Sequence, residues 1–318
     1  MRNYADEVNL HARIHAMRGR LLSLRDYASM IRETQPSALK SLDAHDLAGV
    51  RERLFREQIT PIIRLVEAYD QYAPIFLAYL RQFEIQNAKV LLTQAAGLES
   101  LQLWYDIEPF AILQKNLLQN RLSAREIKSR VTHTYLEDAL QDISSYLRME
   151  INLDITAAKI LYQSSSLLDG QTRTDFQNII FRRLAVLTVI WSYRLRANYH
   201  ADNEDIRLYM EKFYNLFGGQ AISQVRLMEE TLNRHVEKLR KSGVQEPSPT
   251  DVERHLEQNY YTWLSFMFHK DFHSICSVVT YLWMLFYQIK NLLRVIDGWR
   301  FGLSAEAILE RLICTERD

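Results

Sequence analysis

Glycine and proline are scarce along this chain, which contains nine glycines and six prolines in 318 residues. Strands and tight turns depend on these two residues for their ends, so the scarcity disfavours an all-β or α/β fold. Good helix formers such as Leu, Arg, Glu, Gln and Ala dominate instead. The sequence therefore predicts an all-α protein.

Bulk composition narrows the class of protein further. The chain is longer than a typical domain of about 100–150 residues, so we expect two or three packed units. It has 39 basic and 39 acidic residues, so its formal net charge is zero. The overall charge therefore does not favour binding to nucleic acid or to an anionic membrane. Cys276 and Cys314 form neither a disulfide framework nor a CxxC zinc pair. We expect a protein of a reducing compartment, without a signal peptide.

The most apolar stretch is segment 274–289, which has 16 residues and lies between Asp271 and Lys290. A membrane-spanning helix needs ~20 apolar residues. This segment therefore predicts a buried core helix, and we expect no direct membrane span.

The N-terminal segment carries the clearest helical pattern. Its apolar residues recur at alternating spacings of four and three, which is a heptad seam. These residues are Leu10, Ile14, Met17, Leu21, Leu24, Ala28 and Ile31. Four arginines off the seam are expected to be solvated or to face a partner, namely Arg13, Arg18, Arg20 and Arg25. The pattern predicts one helix that ends near Pro36, followed by a helix over about 46–72 that Pro61 interrupts.

A polar pattern recurs three times along the chain. In each copy an acidic or amide residue precedes an asparagine by three positions and opens a long apolar helix. The copies are Glu84–Asn87, Asp175–Asn178 and Gln288–Asn291, followed by the basic residues Lys89, Arg182 and Arg294. The asparagines lie 91 and 113 residues apart, which predicts three similar helical units over 1–105, 106–215 and 216–318. Chance recurrence of a short pattern is the alternative.

Three local features predict details of the helices. Ser123 stands three residues before Glu126, which is a capping-box signature for the start of a helix. The pair Arg182 and Arg183 within an apolar helix indicates a solvent-facing edge rather than an anion site. A cluster of aromatic residues is expected to pack the C-terminal core, with a docking surface as the alternative. The cluster comprises Tyr260, Tyr261, Trp263, Phe266 and Phe268.

Candidate chemical sites are sparse. Two histidine pairs have the spacing that could begin a zinc site, His11–His15 and His269–His273, but the first lacks the glutamate of a metalloprotease motif. The acidic residues Asp202, Glu204 and Asp205 do not have the DDxxD spacing of isoprenoid enzymes, and the acidic first turn of a helix accounts for them. No P-loop, GxGxxG or GxSxG motif is present. We predict a protein that is not an enzyme, with no catalytic, cofactor or metal site.

Several segments together resemble one family, the C subunit of V/A-type rotary ATPases, which is equivalent to the vacuolar subunit d. The N-terminal segment YADEVNLHARIHAMRGRLLSLRDYASMI is similar to the beginning of that family's sequences. The segment THTYLEDAL at 132–140 is similar to the family's threonine–tyrosine–leucine motif. The family's central arginine-rich helix resembles VIWSYRLRANYHADNEDIRLYM. Its C-terminal signature is similar to YLWMLFYQIKNLLRVIDGWRFGLSAEAILERL, although Gln288 stands where the resemblance implies an acidic residue. The resemblance is weakest over 220–259.

The resemblance implies a fold of three similar helical units around a pseudo-threefold axis, shaped as a funnel. It also implies a non-catalytic rotor subunit on the cytoplasmic face of the membrane complex, without a bound nucleotide or cofactor. Such a subunit couples the central stalk to the membrane proteolipid ring, so that ATP hydrolysis or synthesis is linked to ion translocation. The alternatives are an α-helical repeat scaffold or adaptor unrelated to rotary motors, and an all-α metal-dependent enzyme.

Overall fold

The computed structural model describes residues 4–33, 44–98, 103–143, 145–215, 218–241, 248–270 and 273–316. Every regular element in these ranges is helical, which confirms the predicted all-α class. The chain divides into two compact units. The discontinuous unit comprises Met1–Pro36 and Leu168–Asp318, and the continuous unit comprises Ser37–Leu167. The division into three similar units stays a prediction.

The helices follow one another along the chain with few other elements. The discontinuous unit begins with α1 (Tyr4–Arg18) and α2 (Leu24–Glu33). The continuous unit contains α3 (Ala44–Ala68), α4 (Ala73–Ala95), α5 (Ala124–Arg130) and α6 (Tyr146–Ser164), with 3₁₀ turns at Lys115–Asn120, Asp138–Leu140 and Ser165–Leu167. The discontinuous unit resumes with α7 (Gly170–Tyr199), α8 (Asn203–Asn215), α9 (Gly218–Lys241), α10 (Pro249–Lys270), α11 (Ile275–Arg300) and α12 (Ala305–Leu309).

The prediction of one continuous N-terminal helix is wrong, because the chain breaks at 19–23 between α1 and α2. The Leu22 amide donates to Gln288 Oε1 at 2.7 Å. The Leu24 amide donates to the Thr315 carbonyl at 3.1 Å. Both acceptors come from the C-terminal part of the unit, and they satisfy amides that a continuous helix would have bonded internally.

The predicted interruption at Pro61 is also wrong, since α3 continues through this residue. Proline removes one internal hydrogen bond of the helix. Ile59 and Ile62, on either side of it, are both fully buried. Core packing on both sides of the proline therefore outweighs the lost bond, in line with the dominance of tertiary packing in helix stability.

Helix α4 forms the core of the continuous unit and packs against α3, α5 and α6. Its Phe83 ring lies 5.0 Å from Phe55 and 5.4 Å from Tyr105, measured between ring centroids. The predicted capping box is confirmed at α5, where the Ser123 and Glu126 side chains bond reciprocally to each other's backbone amides.

Helix α11 is the main core helix of the discontinuous unit and packs against α1, α7, α10 and α12. Every residue from Ile275 to Ile289 is buried, which confirms the predicted core helix. A Cβ at Gly298 would lie 2.5 Å from Ile308 Cγ1, so glycine is what lets α12 pack this closely. Within the described ranges, no helix is both long enough and apolar enough to cross a membrane.

Candidate functional site

Two of the three predicted asparagines make the same pair of hydrogen bonds in different units. Asn87 Nδ2 donates to the Tyr105 carbonyl at 2.7 Å, and the Tyr105 amide donates to Asn87 Oδ1 at 2.8 Å. Asn291 binds the backbone of Ile313 in the same way, at 2.8 and 3.0 Å. We call each pair of bonds an asparagine clamp. It satisfies the backbone amide and the backbone carbonyl of one residue and ties a returning segment to the core helix.

Glu84 lies one turn before the first clamp and is fully buried. Its Oε1 accepts from the amides of Leu113, at 2.7 Å, and of Ile112. Its Oε2 accepts from the Tyr135 hydroxyl. Burial, and then the Glu84 carboxylate, raise the pKa of Tyr135 above its usual range, so the phenol keeps its proton and donates. One carboxylate thus organises the loop that follows α4.

Gln288 occupies the same position before the second clamp. Its Oε1 accepts from the Leu22 amide at 2.7 Å, and its backbone carbonyl accepts from the Tyr27 hydroxyl at 3.5 Å. The neutral amide therefore fastens the turn between α1 and α2, where Glu84 fastens a loop after α4. Gln288 is thus both a residue of the repeat motif and the acceptor for the turn that interrupts the predicted N-terminal helix.

The third copy of the motif, on α7, has different surroundings. Asp175 Oδ1 accepts from Gln171 Nε2 at 3.0 Å on an exposed turn. Asn178 is half-buried and makes no clamp within the part of the chain that the structure describes. Two of the three asparagines of the motif thus make the same contact, whereas the residues three positions before them do not.

The basic residues that follow the motifs also differ in their contacts. Lys89 Nζ bonds to Asp154 Oδ1 at 2.7 Å and joins α4 to α6. Arg294 Nη1 donates to Asn291 Oδ1 at 3.3 Å, beside the second clamp. Arg182 stacks on the Trp263 ring, with its Cζ 4.7 Å from the ring centroid.

A buried charge network between α7, α10 and α11 was missed at the sequence level. Arg183 Nη1 donates to Glu257 Oε2 at 2.8 Å, and the Tyr287 hydroxyl donates to the same carboxylate oxygen. The prediction that Arg182 and Arg183 mark a solvent-facing edge is therefore wrong, since Arg183 is 9% exposed. The available signal was that residues three and four positions from Arg183, Ile179 and Ile180, are apolar.

Lys290 lies near this network on α11. Burial lowers the pKa of Lys290 to about 8, and attraction to the Glu257 carboxylate opposes that shift. Its ammonium lies 4.7 Å from the centroid of the Phe286 ring, which provides a cation–π contact. The lysine is thus held in a poorly hydrated position at the edge of the buried ion pair.

The four arginines of the N-terminal segment that were predicted to be solvated or to face a partner, here called the arginine face, differ in their exposure. Arg13, Arg20 and Arg25 are exposed. Arg18 is only 5% exposed, and its guanidinium lies 5.5 Å from the centroid of the Phe268 ring. Three of the four arginines can therefore meet a partner, whereas Arg18 packs inside the discontinuous unit.

The histidines and the acidic cluster have structural contacts. His11 is buried, its ring lies 6.2 Å from that of His273, and its Nδ1 is 3.4 Å from Ser277 Oγ. Asp202 Oδ1 accepts from the amides of Glu204 and Asp205 at 2.9 and 2.8 Å, which caps the first turn of α8. Among the described residues, no group of three or more His, Cys, Asp or Glu side chains could hold a metal ion.

The aromatic cluster on α10 divides into two sets. Tyr260, Tyr261 and Phe268 are buried in the core, as predicted. Trp263 and Phe266 instead line a surface cavity of about 460 Å³ between α7, α9 and α10. A second cavity, of about 700 Å³, lies between α10, α11 and the segments that flank α12, and it has a mixed-charge lining.

The sequence was compared with known protein families. The family described as ATP synthase (C/AC39) subunit matches residues 10–311. No curated protein matches the chain. The matched range includes the whole first clamp, Asn291 of the second clamp and the buried charge network.

Proposed function

The chain belongs to the ATP synthase (C/AC39) subunit family, and we propose that it is a non-catalytic central-rotor subunit of a V/A-type ATPase. In this role it binds central-stalk subunits and the membrane proteolipid ring, and it lies on the cytoplasmic side of the complex. Stalk rotation is thereby coupled to ion translocation through the ring. The family match over 10–311 is the observation that carries the proposal.

The proposed fold for this role is three similar helical units, over 1–105, 106–215 and 216–318, around a pseudo-threefold axis in a funnel. The two asparagine clamps support the idea of repeated units, because the same buried contact recurs on α4 and α11. Buried side-chain bonds between loops and core helices also suit a part that transmits torque, because they resist local deformation.

The decisive experiment is isolation of the tagged chain from its own membranes in a mild detergent, followed by mass spectrometry of the proteins that accompany it. We expect the proteolipid ring and central-stalk subunits together. Recovery of other soluble proteins only, from membranes whose rotary ATPase is intact, would reject the rotor assignment and favour the scaffold alternative.

Charge reversal tests whether the exposed arginines contact a partner in that complex. A triple variant that carries Arg13→Glu, Arg20→Glu and Arg25→Glu should reduce recovery of partners. The substitutions remove three positive charges and introduce negative charges, which would repel acidic residues of a partner. The matched control reverses three exposed arginines at and near α5, Arg121, Arg125 and Arg130. Equal recovery from both triple variants would remove the arginine face from the proposal but leave the rotor assignment standing.

A further inference from the structure

The Arg182 side chain is a partly buried cation that packs against an aromatic ring. Its Cζ lies over the Trp263 ring, 4.7 Å from the centroid, and its Nε atom is buried without a hydrogen-bond partner in the described part of the chain. None of the ion pairs formed between described residues includes it. Burial lowers the pKa of Arg182, because the charged form of the side chain is less hydrated there than in water.

The guanidinium forms part of the wall of the cavity between α7, α9 and α10, whose volume is about 460 Å³. Apolar side chains form most of the remaining wall, namely Leu227, Met228, Leu232, Trp263 and Phe266. Leu227 and Phe266 are 63% and 66% exposed, so the apolar lining continues to the surface. A site of this size, apolar with a few polar groups, is typical of small-molecule pockets of about 300–1,000 Å³.

The chemistry of the wall restricts the occupant. A fixed guanidinium repels cations and attracts an anion, and its planar fork matches a carboxylate. Asn259 also lines the cavity and offers its side-chain amide to an anionic head, whereas the hydroxyls of the lining residues Thr231 and Thr262 donate to the Leu227 and Gln258 carbonyls. One arginine cannot neutralise a polyphosphate, and the apolar remainder would leave a sugar or base without partners.

We propose that this cavity binds an amphiphilic carboxylate, with its head on Arg182 and its hydrocarbon chain along the Leu227–Phe266 mouth. Binding gives the desolvated guanidinium a counter-ion and removes two exposed apolar side chains from water. The site lies wholly within the discontinuous unit and does not depend on the rotor assignment.

Titration of the purified full chain with sodium dodecanoate, below its critical micelle concentration, tests the proposal through Trp263 fluorescence. We expect saturable binding whose signal is lost in Trp263→Phe, because the guanidinium that binds the headgroup lies against that ring. Sodium acetate, which has the head alone, and dodecyltrimethylammonium, which has the chain with a cationic head, should each bind at least about tenfold more weakly.

Single substitutions measure separately how the charge of Arg182 and the apolar lining of the cavity contribute to dodecanoate binding. Arg182→Gln should weaken dodecanoate binding by about tenfold or more, since the charge-assisted bonds are lost. The control Arg196→Gln removes an exposed arginine from the same helix, away from the cavity, and should bind like the unaltered chain. Leu227→Asn changes an exposed residue, so it should fold and bind several-fold more weakly even if Arg182→Gln fails to fold.

Three results would overturn the proposal. These are the absence of saturable binding, equal affinity of Arg182→Gln and the unaltered chain for dodecanoate, and equal affinity for the cationic amphiphile. The second and third results would show an apolar patch without selectivity for an anionic head. If Arg182→Gln does not fold, unchanged binding by Leu227→Asn overturns the proposed position of the chain.

Discussion

Helices α4 and α11 are the core helices of the two units and each carries an asparagine clamp, but the polar residues around the two clamps differ in chemistry. Aligned on their asparagines, they place Glu84 opposite Gln288 and Gln86 opposite Lys290. The carboxylate of α4 accepts from two backbone amides and a tyrosine, whereas the amide of α11 holds the turn before α2. The ionic charge of the α11 region comes instead from Lys290 and from the buried Arg183–Glu257 pair.

The difference shows which parts of the motif are interchangeable. Charge can move from one position to another, provided that each buried polar group keeps a partner. Both helices have the asparagine because its side-chain amide supplies a donor and an acceptor, which pair with the backbone carbonyl and the backbone amide of one residue. The clamp is therefore the common element, and the charges around it are particular to each unit.

The largest expected effect comes from removing the buried cation of the discontinuous unit. Arg183→Met leaves Glu257 buried without its guanidinium, which should lower the free energy of unfolding by about 3–5 kcal/mol. Urea unfolding of the variant measures this loss. Arg196→Met, an exposed change on the same helix, is the control and should cost no more than about 0.5 kcal/mol. Similar losses for both variants would mean that the buried pair does not stabilise this unit.

Next in size is the loss of the Glu84 carboxylate. Glu84→Ala leaves three donors without an acceptor and should cost about 3 kcal/mol. Hydrogen exchange at the Ile112 and Leu113 amides should quicken. Glu84→Gln makes α4 resemble α11 and keeps an acceptor oxygen, so it should cost only about 1 kcal/mol. Equal effects of the two variants would show that the negative charge, rather than an acceptor oxygen, is what the loop requires.

The two clamps should have similar but unequal strengths. Asn291→Ala and Asn87→Ala each remove the partner of one backbone amide and of one backbone carbonyl, at a cost of about 2 kcal/mol. Asn291→Ala should cost more, because both bonds of that clamp are buried whereas those of Asn87 are partly exposed. Thermal unfolding gives the ranking. Asn178→Ala serves as the control without a clamp, and a loss as large as the other two would refute the distinction between the motif copies.

The smallest expected effect is a pH dependence confined to the discontinuous unit. Because burial lowers the pKa of Lys290 from 10.5 to about 8, the unfolded chain binds more protons above pH 8. The free energy of unfolding should therefore rise between about pH 8 and 9.5, on the order of 1 kcal/mol, and the cost of the buried charge is fully present below that range. Lys290→Met should flatten this rise. An unchanged slope in the variant would assign the effect to other groups.

Much of the fold could be predicted from local pattern. The core helix at 274–289 was visible because an apolar run too short to span a membrane has to be buried in protein. The Ser123 cap was visible because a capping box spans only three residues. The positions of Asn87 and Asn291 were also visible, since polar residues that open apolar helices stand out. Their partners were not visible, because Tyr105 and Ile313 lie in segments without periodicity.

By itself, then, the sequence determined the helical class, the central helices and the polar positions within them, because these depend on neighbours within one or two turns. Only the tertiary structure decided that the N-terminal helix breaks at 19–23, where Leu22 bonds to Gln288 across 266 positions of sequence. It likewise decided that Arg183 is buried, since its partner Glu257 lies 74 positions away. Local periodicity cannot encode such pairings, because the free energy that selects them is gained only when distant helices pack together.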